Sequence, residues 1–202
     1  MQNHKPPTYS FLILVIGLIC LDTFLAWISV LVSHVIAKMT GLSLPTGVSV
    51  LYIAAAFMLI FTLWFGLYGA IAAYLGCFFG SGLLWGMPAS VALYFSLANL
   101  WMVLIPLVAF RIFEVNVGME SGRDLFHLVL FGTILNNVVG AAWGAVALAA
   151  GGQVGWSEIL MSVFVPWVIG NIVVILLIVP LTLQHYTQTV EKSKVFVKNY
   201  WF

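Results

Sequence analysis

One long stretch of this chain contains no charged side chain. Between residues 39 and 110 there is no Asp, Glu, Lys, Arg or His. Ordinary soluble domains have roughly a quarter of their residues charged, so a water-facing surface cannot be built from such a stretch. The chain as a whole is 63% hydrophobic and only 6% charged. The sequence therefore predicts an integral membrane protein.

Six apolar runs, separated by turn-rich or charged stretches, predict six membrane-spanning helices. A helix needs about 20 residues to cross a hydrocarbon core of about 30 Å. We place the spans at residues 9–37, 46–64, 66–85, 89–110, 125–150 and 159–183. The first run is too long for the core of a cleavable signal peptide, so we expect it to be retained. The predicted fold is all-α, a single transmembrane domain over residues 1–202, with multi-pass insertion in the cell membrane.

The basic residues predict how these spans are oriented. Six spans put both termini on one side of the membrane, together with the joins between spans two and three and between spans four and five. The basic residues on that side are Lys5, Arg111, Arg123, Lys192, Lys194 and Lys198. Only Lys38 falls on the other side. Because cytoplasmic loops are enriched in Lys and Arg, we predict that both termini are cytoplasmic.

Several polar side chains fall near the centres of the predicted spans. They are Asp22, Asn99, Asn136, Asn137 and Asn171. A polar group among hydrocarbon tails costs free energy unless it faces a partner or a cavity, and a carboxyl inside a span is a functional candidate. We expect Asp22 to be buried, on a stripe that continues through Ala26, Ser29 and Ser33. The alternative is that these groups hydrogen-bond one another and only hold the bundle together.

The spacing of the asparagines and tryptophans predicts a binding pocket between the last three spans. Asn136 and Trp143 fall on one face of the fifth span, and Trp167 and Asn171 fall on one face of the sixth. The predicted ligand-binding residues are Asn99, Asn136, Asn137, Trp143, Trp167 and Asn171. A mostly apolar pocket with a few amides and no nearby Lys or Arg favours a small, flat, largely uncharged ligand.

Other chemistries have little support in the sequence. Ser81 lies between two glycines, but no histidine lies mid-span to act as its base. The histidines lie near the ends of the spans and form no pair at metal-ligand spacing. We therefore predict no enzymatic activity, no metal and no cofactor. We interpret Cys20 and Cys77 as packing residues, and the Lys residues near the C-terminus as membrane-flanking charges that indicate no nucleic-acid partner.

Glycine and tryptophan form a recognisable pattern in the first half of the chain. Thr46-Gly47 leads into an alanine-rich run, which is followed by WFGLYGA at residues 64–70 and by the glycines from Gly76 to Gly82. Over roughly residues 44–183 the chain resembles the substrate-binding S components of energy-coupling-factor vitamin transporters. The resemblance implies a ligand held from the outer side by the last three helices and the outer loops. It implies that the residues near this ligand are Asn99, Asn136, Trp143, Trp167 and Asn171.

A second pattern lies in the second half of the chain. SGRD at residues 121–124 precedes the fifth span, Gly140 to Gly144 lies within it, and Pro166-Trp167, Gly170-Asn171 and Pro180 lie in the sixth. These pieces are similar to the integral membrane sensor domain found ahead of bacterial histidine kinases and diguanylate cyclases. This resemblance implies a signalling partner in place of a transport partner.

Together these observations predict a small-molecule-binding membrane subunit that takes part in the uptake of a vitamin-like or other small, largely uncharged ligand. The expected partners are membrane lipid, the ligand itself and coupling or signalling subunits in the membrane. The alternative function is a ligand-sensing or structural scaffold subunit with no transport activity.

Overall fold

The computed structural model describes residues 8–193 and 195–197. Within these residues the chain consists of helices and loops, with no strand. The helices are α1 Thr8–Thr40, α2 Ile53–Phe65, α3 Leu67–Trp85, α4 Ala89–Ile112, α5 Gly122–Ala150 and α6 Leu160–Glu191. All except α2 are long and apolar enough to cross a membrane. An all-helical bundle with five such helices indicates a membrane-embedded protein.

Three of the long helices contain a π-helical turn. These turns are Phe78–Gly82 in α3, Leu130–Leu135 in α5 and Leu160–Phe164 in α6. In α3 the turn is followed by a short 3₁₀ turn, Leu83–Trp85. A π turn interrupts the regular hydrogen bonding from each amide to the carbonyl four residues earlier. Side chains close to these turns can therefore find backbone groups to bond.

The second predicted span is not a single helix. Residues 46–52 are non-helical, and α2 starts only at Ile53. Its 13 residues extend about 20 Å, which is short of a hydrocarbon core of about 30 Å. Gly47 adopts a φ of 78°, a conformation that favours glycine. The prediction of a helix over residues 46–64 is therefore wrong at its start. We call residues 46–52 the re-entrant segment, and by this name we mean only the non-helical stretch that leads into α2.

The other helix boundaries are closer to the prediction. Ser121 and Asp124 form a capping box, which starts α5 at Gly122. The end of α6 differs, because this helix continues past Pro180 to Glu191. A proline inside a helix removes one backbone hydrogen bond. The chain is nevertheless helical on both sides of Pro180.

The short helix α2 lies at the centre of the bundle. It packs against α1, α3, α4 and α6, and nearly all of its side chains are buried. A helix that is apolar on every face is expected to be enclosed by others. The outer surface is also apolar, and on α1 it exposes Leu12, Ile13, Ile16 and Phe24. An apolar exterior of this kind suits a lipid environment.

The contacts between helices define two ends of the bundle. At the proximal end, which contains the Gly66 turn and the loop before α5, Arg123 Nη2 donates to the Phe113 carbonyl at 2.8 Å. At the distal end, which contains the turns at Gly41, Gly86 and Gly152, His34 stacks on Trp85. The basic residues Arg111, Arg123 and Lys192 flank the proximal end, and Lys38 lies at the distal end. Lys5, Lys194 and Lys198 lie outside the described residues, as do both chain termini.

Candidate functional site

The re-entrant segment is held by a polar stripe on α1. The Ser33 and Ser49 hydroxyls are hydrogen-bonded at 2.6 Å, and Ser49 Oγ donates to the Ser29 carbonyl at 3.2 Å. The backbone amides of Val50 and Leu51 donate to Ser33 Oγ at 3.1 and 3.3 Å. Serine side chains of α1 thus satisfy backbone groups that a helix would have satisfied internally.

Two glycines let neighbouring backbones approach this segment closely. A Cβ atom on Gly47 would overlap the Ser81 carbonyl of α3, and one on Gly170 of α6 would overlap the Val50 carbonyl. Gly170 is ten residues from the start of α6, which places this contact about 15 Å along the helix. The re-entrant segment therefore enters from the distal end and reaches well into the bundle.

Tyr52 stands at the inner end of the re-entrant segment and joins it to α3 and α4. Its hydroxyl accepts hydrogen bonds from Asn99 Nδ2 at 3.0 Å and from Ser81 Oγ at 3.4 Å. The Cys77 thiol lies beside the hydroxyls of Tyr52, Ser81 and Ser96. Three separate elements therefore bring their polar groups together at one buried point.

A small cavity lies at this point. Its walls are formed by Gly47, Ser49, Tyr52, Cys77, Ser81, Phe95, Asn99 and Trp167. The rings of Phe95 and Trp167 meet edge to face, with centroids 5.6 Å apart. The volume open to the centre of a water molecule is about 10 Å³, which is roughly what one water needs. No charged side chain is among the lining residues.

Several polar atoms around this cavity are buried and unsatisfied. Within the described residues, Asn99 Oδ1 and Trp167 Nε1 have no hydrogen-bond partner. Asn171 lies one helical turn beyond Trp167 and outside the cavity lining; it is fully buried, and neither of its amide atoms bonds a described residue. A buried unpaired polar group costs about 1–3 kcal/mol. Such groups around a cavity offer hydrogen bonds to an incoming molecule.

Asn136 and Asn137, which were predicted to bind ligand, are bonded to the backbone. Asn136 Nδ2 donates to the Met102 carbonyl at 3.2 Å, and that carbonyl is free because Pro106, four residues later, has no N–H. Asn137 Nδ2 donates at 2.6 Å to the carbonyl of Thr133, within the π turn of α5. Their amide groups therefore compensate for irregular helix backbone.

Trp143 does not face the cavity. Its indole N–H donates to the Tyr94 carbonyl at 2.8 Å, its ring meets Trp101 edge to face, and 40% of its surface is exposed. It lines a separate apolar groove of about 450 Å³ between α4 and α5. Asn136 and Trp143 both contact α4, as expected for residues seven apart on one helix face. Trp143 nevertheless lies outside the cavity that contains Asn99 and Trp167.

Asp22 is fully buried, as are Ala26, Ser29 and Ser33 along the same stripe of α1. Its carboxylate packs against Gly76, in the middle of α3, where a Cβ atom would overlap it. Neither carboxylate oxygen has a hydrogen-bond partner within the described residues. Asp22 does not line the cavity, but it is within electrostatic reach of Tyr52 and Cys77.

Of the eight residues that line this cavity, sequence reasoning singled out only Asn99 and Trp167 as ligand-binding residues. Tyr52, Ser49, Cys77 and Phe95 were not among the predicted binding residues, although all of them line the cavity. Cys20, also predicted as a packing residue, is exposed on α1. The signal that could have found the re-entrant segment is Pro45 with Gly47, a turn-forming pair directly before an apolar run.

Comparison of the chain with protein families, with characterised proteins and with solved structures finds no match in any of the three.

Proposed function

We propose that this chain is an integral membrane subunit that binds a small, largely uncharged molecule and takes part in its uptake across the cell membrane. The observation that carries this proposal is the pair of unsatisfied buried groups at the cavity, Asn99 Oδ1 and Trp167 Nε1. One is a hydrogen-bond acceptor and the other a donor. A ligand with one donor and one acceptor, placed between them, would satisfy both.

The cavity walls define the chemistry of this ligand. Tyr52, Phe95 and Trp167 supply aromatic surface, while Ser49, Ser81 and Asn99 supply polar contacts. Stacking and edge contacts favour a planar, aromatic molecule. The absence of charged lining residues disfavours an ion, whose desolvation would not be compensated. These features agree with the vitamin-like ligands that the resemblance to S components implies.

Binding requires the cavity to open. Pockets for small molecules typically occupy roughly 300–1,000 Å³, far more than the present cavity. The re-entrant segment is the one non-helical wall, and a few serine hydrogen bonds hold it to α1. We therefore assign the segment as the part that moves to admit ligand from the distal end.

We further propose that the chain crosses the membrane six times, with α2 and the re-entrant segment making one crossing together. Both termini are then cytoplasmic, and the distal end is the outer face. The basic residues support this orientation, since Arg111, Arg123 and Lys192 flank one end and Lys38 alone flanks the other.

The partners proposed for this subunit are membrane lipid and coupling subunits that supply the energy for uptake. The alternative is a sensor or scaffold that binds ligand and transports nothing. Cells that carry the chain with its neighbouring genes should accumulate labelled ligand if the first function is right. Ligand binding to the purified chain, without accumulation in such cells, would favour the sensor.

The first experiment identifies the ligand by mass spectrometry of small molecules that co-purify with the protein in lipid nanodiscs. We expect an uncharged heteroaromatic compound that raises the melting temperature when added back. Asn99→Ala and Trp167→Ala should each weaken this binding by roughly tenfold or more, which corresponds to about 1.4 kcal/mol.

Trp143→Ala is the matched control for Trp167→Ala, because it removes a tryptophan side chain from the separate groove between α4 and α5. It should leave ligand affinity unchanged. Equal loss of binding in all three variants, or normal binding in both cavity variants, would reject the cavity as the ligand site.

A further inference from the structure

The Asp22 carboxyl is positioned by close packing and has no hydrogen bond to any residue that the structure describes. It lies in the interior of the bundle against Gly76, and both of its oxygens are buried without a partner in the described residues. Because glycine has no side chain, α1 and α3 come together closely enough to exclude water from the carboxyl. This is an unusual place for a group that normally carries a charge.

Within the part of the chain that the structure describes, no positively charged group is hydrogen-bonded to Asp22. Among the elements packed on α1, α3 contributes the Cys77 thiol and the re-entrant segment contributes the Tyr52 hydroxyl. The sequence of α2 contains no titratable side chain. On α1 itself His34 and Lys38 are 12 and 16 residues further along, about 18 and 24 Å away along the axis.

An unpaired carboxylate in such surroundings is strongly unfavourable. A bound cation could compensate it, but Asp22 does not line the cavity. Within the described residues no group of three His, Cys, Asp or Glu side chains could hold a metal ion. A proton needs no such space, and it removes the charge altogether.

We propose that Asp22 is a proton-binding site, occupied while the re-entrant segment is seated and emptied when the segment leaves and water reaches the carboxyl past Cys77, which lines the cavity and is the neighbour of Gly76. On release, the O–H bond of the carboxyl breaks, the proton passes to an incoming water molecule, and a hydrated carboxylate remains. Low pH therefore favours the closed cavity, and high pH favours the open one. Only the movement of the segment rests on the proposed function; the proton site itself does not.

Infrared spectroscopy of the wild-type protein in nanodiscs tests the proton directly. A protonated carboxylic acid has a C=O stretching band distinct from that of a carboxylate, and this band shifts in deuterated water. The chain has six Asp and Glu residues, and the other five lie at helix ends or in loops: Glu114, Glu120, Asp124, Glu158 and Glu191. We expect one acid band at neutral pH, which Asp22→Asn removes.

This measurement does not depend on ligand or transport, so its result separates the proton site from the proposed function. Absence of the band in wild-type protein at neutral pH would overturn the proposal without the need for any variant. A band that persists unchanged in Asp22→Asn would overturn it as well, because another carboxyl would then hold the proton.

Labelling of Cys77 tests the link to the re-entrant segment. Cys77 is buried at the cavity and Cys20 is exposed, so a Cys20→Ser background leaves one thiol to report opening. We expect the ratio of two labelling rates, that of the protein with Asp22 over that of the protein with Asp22→Asn, to rise with pH. The rise should reach up to about tenfold per pH unit, because opening releases one proton. The comparison cancels the pH dependence of the thiol itself.

Identical pH profiles with and without Asp22→Asn would overturn the link between proton release and opening. In a second experiment, the labelling of Cys77 is measured at constant pH while the concentration of sodium chloride is raised. Protection of Cys77 that depends on sodium and requires Asp22 would make the site a cation site and would overturn the proton assignment.

Discussion

At the scale of single residues, the buried asparagines of this protein differ in what they bond. Asn136 donates to a carbonyl that Pro106 leaves without a helical partner, and Asn137 donates to the Thr133 carbonyl. Asn99, Asn137 and Asn171 each keep a polar atom with no partner among the described residues. Of these three, only Asn99 lines the cavity, so its free oxygen is the one that a ligand in the cavity can reach.

The repair role of Asn136 can be measured with a double-mutant cycle. Asn136→Ala should lower the free energy of unfolding by about 0.5–2 kcal/mol, the usual contribution of a hydrogen bond between membrane helices. In a Pro106→Ala background the new amide of residue 106 can bond the Met102 carbonyl. We therefore expect Asn136→Ala to cost less there, and unfolding in mixed detergent measures both values.

Additive effects of these two substitutions would contradict the assigned role, because each would then act on a different part of the structure. Asn99→Ala in the same two backgrounds is a suitable control, since Asn99 bonds Tyr52 and not the Met102 carbonyl.

The packing of Asp22 on Gly76 gives a second prediction. Gly76→Ala places a methyl group where the carboxylate lies, and overpacking of this kind typically costs about 1–3 kcal/mol. Gly17→Ala on α1 has open space around it and should change stability little. The melting temperatures of the two variants in nanodiscs test the difference, and equal values would show that α1 and α3 do not meet at Asp22.

Hydropathy and spacing were enough to predict which residue types would be interesting, but not how each is used. The prediction named Asn136 and Asn99 for the same reason, since both lie mid-span. Their roles differ because of partners on other helices, and the pairing of Asn136 with the carbonyl freed by Pro106 cannot be derived from spacing within one helix. The same limit explains Trp143, whose direction depends on where α4 packs.

At the scale of elements, the main departure from the prediction is the start of α2. Residues 46–52 are apolar enough to be predicted as part of a helix. Ser29 and Ser33 of α1 and the backbone contacts at Gly47 and Gly170 favour a different conformation. Tertiary contacts thus override local pattern at the place where the candidate site forms.

Gly170→Ala tests how tightly the re-entrant segment fits. The added methyl group would overlap the Val50 carbonyl, so the segment has to move outward. In the Cys20→Ser background we expect faster labelling of Cys77, with Gly17→Ala as the matched control. Unchanged labelling would show that the segment and α6 are not in contact.

At the scale of the whole molecule, the contacts fix which loops share an end. The loop before α5, the Gly66 turn and residues 195–197 meet at the proximal end, where the Val197 amide donates to the Trp64 carbonyl at 2.9 Å. The number of apolar runs between these segments was enough to predict this grouping, because each run reverses the direction of the chain.

Single cysteines at the two ends test the proposed orientation. In a protein without its native cysteines, Lys38→Cys should react with a membrane-impermeant thiol reagent added to intact cells. Lys192→Cys should react only after the membrane is opened. Reaction of both cysteines in intact cells would exclude the six-crossing arrangement.

The central position of α2 also constrains the order in which the molecule is assembled. Its 13 residues are too few to hold a place in a bilayer alone, and the backbone before it would have unsatisfied groups in lipid. One end of α2 is fixed through Val50 by Gly170, and the other by Thr187 and Val197, which bond Trp64. These residues are synthesised more than a hundred positions later than α2. During biosynthesis the innermost helix can therefore gain its full set of contacts only after α6 has been made.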